Sequence, residues 1–303
     1  MTRSASTWLH LARQSVSAWI DDDAASMGAA ISYYTALSMA PLLLIVIAVA
    51  GLLYGEAAAA GALTAEFEKV LGAEGARLVK TLLAASEQSS GNLPSLVIGG
   101  LTLLLGATTV FAEIQGDLDR IWRVKAPVQS GVWRFLRTRL LSFGLVLVVG
   151  FLLLISLVAS SVIAALGEFW GTWLAGQAAF AAALNDGVSL AIITVLFALI
   201  FKTLPSTRIA WSDVWVGALV TALLFTVGKS AIGLYLGTVA VASPFGAAGT
   251  FVVLMVWVYY AAQIFLLGAE FTHQYALAHG SHRQVAMPEA AKRAVAASVD
   301  QGR

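Results

Sequence analysis

The chain has 303 residues, a formal net charge of +1, 59% hydrophobic residues and only 12% charged ones, against roughly 25% charged in an average soluble domain. That balance excludes a water-soluble globular fold and offers no strongly basic or acidic surface from which to argue a polyionic partner. The absence of cysteine also excludes structural disulfides, thiolate metal sites and cysteine nucleophiles.

The first stretch, MTRSASTWLHLARQSVSAWIDDD, lacks the continuous apolar core and small-residue cleavage site of a signal peptide, so the first apolar span is expected to do the targeting. Within 6–20, Trp8, Leu11, Ala12, Val16, Trp19 and Ile20 recur at helical spacing, with Arg13 and Gln14 elsewhere on the wheel. This pattern fits either an interfacial helix on the inner leaflet or an amphipathic helix packed under a bundle.

Six charge-poor stretches follow, at about 28–54, 94–115, 140–166, 185–204, 214–237 and 246–272. Each reaches the length of roughly 20 residues that crosses a bilayer as an apolar helix. The expected fold is all-α: a polytopic membrane protein with six transmembrane helices. Residues 1–27 form a cytoplasmic segment, 28–276 one membrane domain, and 277–303 a flexible Ala-rich polar tail.

The first span opens SYYTALSMAP. Pro41 has no amide hydrogen, so the carbonyl of Leu37 loses its intrahelical donor and the helix is expected to bend, with Thr35 or Ser38 within a turn to compensate. Tyr33, Tyr34, Thr35 and Ser38 then either line a cavity open to the cytoplasm or belong to a kinked packing helix with its tyrosines at the lipid interface. The 55–93 loop holds Lys69, Arg77 and Lys80 against five glutamates. Its 61–87 part reads as one or two short amphipathic helices outside the membrane, a surface for protein partners.

Between spans two and three, Arg120, Arg123, Lys125, Arg134, Arg137 and Arg139 crowd one loop, and Arg283, Lys292, Arg293 and Arg303 follow span six. Positive short loops stay in the cytoplasm, which predicts that both termini are cytoplasmic. Anionic lipid headgroups are the expected partners of the 120–139 loop. Trp170 and Trp173 suit the opposite interface.

Five ionisable or amide side chains stand out inside or beside the spans. Lys229 lies sixteen residues beyond Asp213, about 24 Å up a helix, where an ammonium needs a partner, water or a route to the surface. It reads either as part of a pocket or as a snorkelling side chain. Glu113 and Glu270 reach similar depths near the inner interface, with Gln263 on the face of Glu270 two turns higher and Lys202 ending span four on the same side. They fit either salt-bridged helix ends or a polar vestibule. Glycines in GGLTLLLG (99–106), GLYLG (233–237) and SPFGAAG (243–249) read as sites of close helix approach.

Catalytic signatures are missing. The Gly-Lys-Ser at 228–230 sits in an apolar span without a P-loop glycine ahead of it. No Gly-x-Ser-x-Gly elbow occurs, and His279 and His282 have no carboxylate-rich neighbourhood for a metal. No cofactor and no nucleic-acid partner is expected, since the cytoplasmic arginines lack an interleaved stacking platform.

Three blocks carry a family resemblance: GAAISYYTALSMAPLLLIVIAVAGLL, FAEIQGDLDRIWRV and FGAAGTFVVLMVWVYYAAQIFLLGAEFTH. Together they resemble the YihY/BrkB family of bacterial inner-membrane proteins over about 20–276. The resemblance implies six transmembrane helices and residence in the bacterial inner membrane. Its older label, ribonuclease BN, finds no metal-ligand cluster or soluble catalytic domain here, so the chain is expected not to be an enzyme. Transport of a lipid or other amphiphile, which the resemblance also implies, suits the polar residues better. The expectation is a transporter or flippase-like facilitator of an anionic amphiphile. A non-transporting scaffold that maintains the envelope is the alternative. The candidate pathway or pocket is Lys229, Glu113, Glu270, Gln263, Tyr33, Tyr34, Ser38 and Pro41.

Overall fold

A computed structural model of the chain describes residues 2–38, 109–124, 177–240 and 246–281, together with positions 55, 57–58, 60–61, 64–65, 76–77 and 80. Every regular element among them is helical: α1 (Thr2–Asp21), α2 (24–38), α3 (109–121), α4 (Gln177–Thr203), α5 (Trp211–Ala240) and α6 (Gly246–Ala278). The expected span at 140–166, Pro41 with its bend, and the tail beyond 281 lie outside the described residues. Among the described residues, three helical segments are long and apolar enough to cross a membrane: Asp186–Thr203, Trp211–Gly233 and Phe251–Ala278. They fall on the expected fourth, fifth and sixth spans.

Small residues set the contact between α5 and α6. α5 carries Gly217 and Thr221 one turn apart; α6 carries Gly268 and Thr272 at the same spacing. A Cβ placed on Gly217 would collide with the Thr272 side chain, and one on Gly268 would collide with Thr221. The two threonines are fully buried. Each hydroxyl donates 2.7 Å back to the carbonyl of the glycine one turn before it, Thr221 to Gly217 and Thr272 to Gly268. With both hydroxyls satisfied within their own helices, the methyl and backbone surfaces meet without an unpaired polar atom, as lipid requires. The glycine of GLYLG behaves otherwise, since no atom lies within 4 Å of a Cβ built on Gly233.

The remaining helices pack around this pair. On α2, Gly28 lets the Gln263 side chain of α6 approach, and Ser32 Oγ donates to the Met255 carbonyl at 2.7 Å. α4 contributes Phe197 and Phe201, which stack on Phe265 of α6 with centroids 6.2 and 5.4 Å away. α3 inserts Leu118 and Ile121, both fully buried. α1 packs by one face on the end of α6: Leu11 is buried, and Trp8 stacks on Phe271 and Tyr275. One face of α1 is thus covered by α6, while Leu9, Val16 and Ile20 remain exposed on the other face.

α5 turns the large side chains of Trp211, Trp215, Leu219, Leu223 and Val227 outward. Such a stripe of exposed apolar groups at helical spacing is a liability in water and a solvated face in lipid. Trp211 and Trp215 lie at its start, beside Lys202, whose ammonium sits 5.4 Å from the Trp211 ring centroid. That grouping fits an interfacial belt.

Replacing Gly217 or Gly268 with valine should destabilise the protein by about 1–3 kcal/mol through overpacking, read as detergent-resistant thermal unfolding. Gly233→Ala should be neutral or stabilising by up to about 1 kcal/mol. Equal effects at all three positions would contradict the packing described.

Candidate functional site

Polar side chains gather at one end of the described helices, where α1, α3, α4 and α6 end and α2 and α5 begin. The chain passes from α1 to α2 through Asp22 and Asp23, the latter in the left-handed region at φ 57°. The Asp22 amide still donates to the Ala18 carbonyl at 2.9 Å, and the Ser26 amide donates to the Asp23 carbonyl at 3.0 Å. One helix therefore stops and the next starts with almost no intervening loop. Asp22 is held inward and is 7% exposed.

α3 ends in a Schellman motif: the Val124 amide donates to Asp119 and the Arg123 amide to Arg120, at 2.9 and 3.0 Å. The residue that must adopt left-handed geometry in this motif is usually glycine. Here it is Arg123, at φ 53°, which costs about 1–2 kcal/mol in backbone energy. Its side chain offers a reason, because Nη1 donates to Asp22 Oδ1 at 2.7 Å in a salt bridge. The motif thus trades glycine's freedom for a charge that reaches the buried aspartate.

Glu270 of α6 completes the group. It is 1% exposed, and among the described residues no donor reaches either of its oxygens or Oδ2 of Asp22. The Glu270 and Asp22 carboxyls lie within side-chain hydrogen-bonding reach of each other, with Arg123 and Asp21 as the nearby charges. Two turns earlier on the same face, Gln263 Nε2 donates to the Ala24 carbonyl at 3.2 Å. One face of α6 therefore reads the α1–α2 junction at both levels. One turn beyond Glu270, His273 packs on Trp122 with ring centroids 5.0 Å apart.

Other polar contacts close the same end. Asp213, at the start of α5, accepts from the Ser281 amide at 2.8 Å and from its hydroxyl at 2.7 Å, pinning the end of α6. Asp119 of α3 accepts from the amide and hydroxyl of Ser206, both at 2.7 Å. Lys202 donates to the Ile209 carbonyl and makes no salt bridge among the described residues. The salt bridge described at this end joins Asp22 and Arg123; among the described residues none joins Glu113, Glu270 or Lys202, and Asp22 was not among the residues that sequence reasoning singled out.

The structure separates the remaining candidates. Glu113 is half-buried on α3, one turn before Asp117. Tyr33 is exposed, meets Tyr34 edge to face at 5.5 Å, and stands beside buried Ser32 rather than in the Glu270 group. Ser38 is buried and donates to the Thr35 carbonyl at 3.1 Å. Lys229 is exposed on α5, next to Gly228, which packs on Ile264 and Tyr260. Sixteen residues of helix, about 24 Å, separate it from Asp213 at the polar end, so Lys229 and Glu270 do not share a site. Pro41 lies outside the described residues. Among the described residues no group of three or more histidine or carboxylate side chains is placed to hold a metal.

Asp117 is buried at 7% exposure, and among the described residues its Oδ2 lacks a donor. Burial, reinforced by the Glu113 carboxylate and opposed by Arg120, pushes its carboxyl from the ordinary 3.8 up to about 7. The folded state holds this proton more tightly than the unfolded state, so the group's favourable contribution is complete below the unfolded value and is lost as pH rises through about 7. Unfolding measured across that interval should show wild type losing stability relative to Asp117→Asn, whose amide stays neutral. A difference between the two proteins that does not change with pH would contradict this assignment.

Comparison with known proteins places this architecture. The family model described as virulence factor BrkB matches residues 15–293. A UPF0761 membrane protein of Pseudoalteromonas translucida is 25% identical over 261 residues, covering 86% of this chain and 83% of that one. One from Chlorobium chlorochromatii is 27% identical over 286 residues, covering 90% and 63%. Another, from Verminephrobacter eiseniae, is 30% identical over 198 residues, covering 64% and 45%. The chain spans about half the length of several of the relatives it matches. No solved structure matches it. With the family match running through nearly the whole sequence and three apolar helices long enough to cross a bilayer, the chain belongs to the virulence factor BrkB family of membrane proteins.

Proposed function

We propose that this BrkB-family chain is a transporter or flippase-like facilitator of a lipid or other anionic amphiphile. It crosses the bacterial inner membrane six times with both termini in the cytoplasm. The observation that carries the reading is the exposure of Lys229 on an apolar helix. Lys229 follows the exposed Leu223, Leu224 and Val227 along α5, about 200° round the helix from Val227, and has no ion pair among the described residues. In hydrocarbon such a charge needs a counter-ion or water, and the headgroup of a passing amphiphile supplies both an anion and its hydration. The path this implies runs along the protein–lipid surface, with the tail in the bilayer, rather than through an enclosed central cavity. Anionic headgroups at the 120–139 loop and protein partners at the 55–93 loop belong to the same proposal, as does the absence of an enzymatic activity.

The close approach of α5 and α6 at Gly217 and Gly268 supports a second reading, a rigid scaffold in which Lys229 snorkels to the surface. The two readings separate in proteoliposomes carrying a fluorescent anionic phospholipid. The transport reading expects wild type to accelerate transbilayer movement and Lys229→Glu to reduce that rate roughly tenfold or more, the size of one lost charge-assisted contact. Wild-type movement no faster than in protein-free vesicles, or a Lys229→Glu rate equal to wild type, contradicts it.

A further inference from the structure

Glu270 is the most buried titratable side chain described, and the transport reading does not use it. An ionised carboxylate only accepts hydrogen bonds. Asp22 Oδ2 and both Glu270 oxygens are buried acceptors with no donor among the described residues, although the two carboxyls lie within hydrogen-bonding reach of each other. Two bare carboxylates so placed repel, and each unpartnered oxygen adds a desolvation cost. Arg123 relieves only one side of the group, through Oδ1 of Asp22.

A single proton resolves the arrangement. Placed on either carboxyl, it supplies the missing donor to the other, and it leaves one negative charge to match the one positive charge of Arg123. We propose that Asp22 and Glu270 form a proton-binding site in which one proton is shared across the junction between the α1–α2 turn and α6. The charged groups facing the pair are Asp21 from the α1 end and Arg123 from the α3 end. His273 stands one turn further along α6 against Trp122, and the part of α5 packed nearby presents Gly217 and Thr221, which are uncharged. A hard metal cation fits the group less well, since it takes about six oxygens and the pair offers three free ones. Loss of the proton leaves two like charges on facing elements, which loosens the α1–α2 turn from α6. The inference stands whether or not the protein transports an amphiphile.

Infrared difference spectra of the full chain in nanodiscs, recorded between mildly acidic and alkaline pH, test the site directly. The Asp117→Asn background removes the further buried acid that has an oxygen without a donor among the described residues. The carbonyl band of a protonated carboxylic acid should be present at neutral pH, shift when glutamate is carboxyl-labelled with carbon-13 or when aspartate is, and vanish on alkalinisation. It should be absent from Glu270→Gln. In the same background, thermal stability should fall with rising pH in the parent and stay level in Glu270→Gln, which keeps a neutral donor beside Asp22. No acid band at neutral pH, loss of the band on adding sodium at constant pH, or the same pH dependence in Glu270→Gln would each overturn the proposal.

Discussion

The reciprocal contact of Gly217 with Thr272 and of Thr221 with Gly268 sets the distance between α5 and α6, and the polar end of the bundle depends on that distance. Between helices in lipid there is no hydrophobic force comparable with that in water, so association rests on close packing and on hydrogen bonds satisfied internally. Each threonine meets both demands, bonding back to its own helix and presenting a methyl group to the opposing glycine. Asp213 then ties the end of α6 to the start of α5 through Ser281. With α6 held from one side, its face bearing Gln263 and Glu270 meets the α1–α2 junction.

At that junction the energetics change character. Burying a carboxylate is costly unless charge or hydrogen bonding compensates it, and the chain accepts a second cost, left-handed geometry at Arg123 and Asp23, to provide part of that compensation. Strained residues of this kind concentrate where a side chain is needed in one place. Asp23 suits the conformation, because aspartate enters it more readily than most residues. Arg123 does not, and the salt bridge to Asp22 is the visible return.

Much of this was legible from residue spacing. Uninterrupted apolar length located the fourth, fifth and sixth spans, and the seven-residue interval between Gln263 and Glu270 put both on the face that meets α1 and α2. The packing glycines were harder to read. Gly233 belongs to a conspicuous glycine pair yet faces open space, whereas Gly217 and Gly268 matter because a threonine follows each by one turn, a pattern that becomes a signal only when two helices carrying it are brought together. Asp22 sits in an acidic triplet that reads as a solvated helix end, and Arg123 in a basic loop that membrane topology already explains. Their pairing spans 101 positions, so no local pattern announces it. Arg123 in a glycine position leaves no composition signal either, because the left-handed turn appears only in the backbone.

The central claim is that Arg123 occupies a glycine position because it neutralises buried Asp22, and a double-mutant cycle in thermal or denaturant unfolding tests it most directly. Arg123→Gly alone should destabilise the protein by about 1–3 kcal/mol, the cost of leaving a buried acceptor unsatisfied, despite relieving the backbone. In the Asp22→Asn background, where no charge needs compensation, the same change should turn stabilising by about 1 kcal/mol. A stabilising Arg123→Gly in the wild-type background, or an effect identical in both backgrounds, would contradict the account.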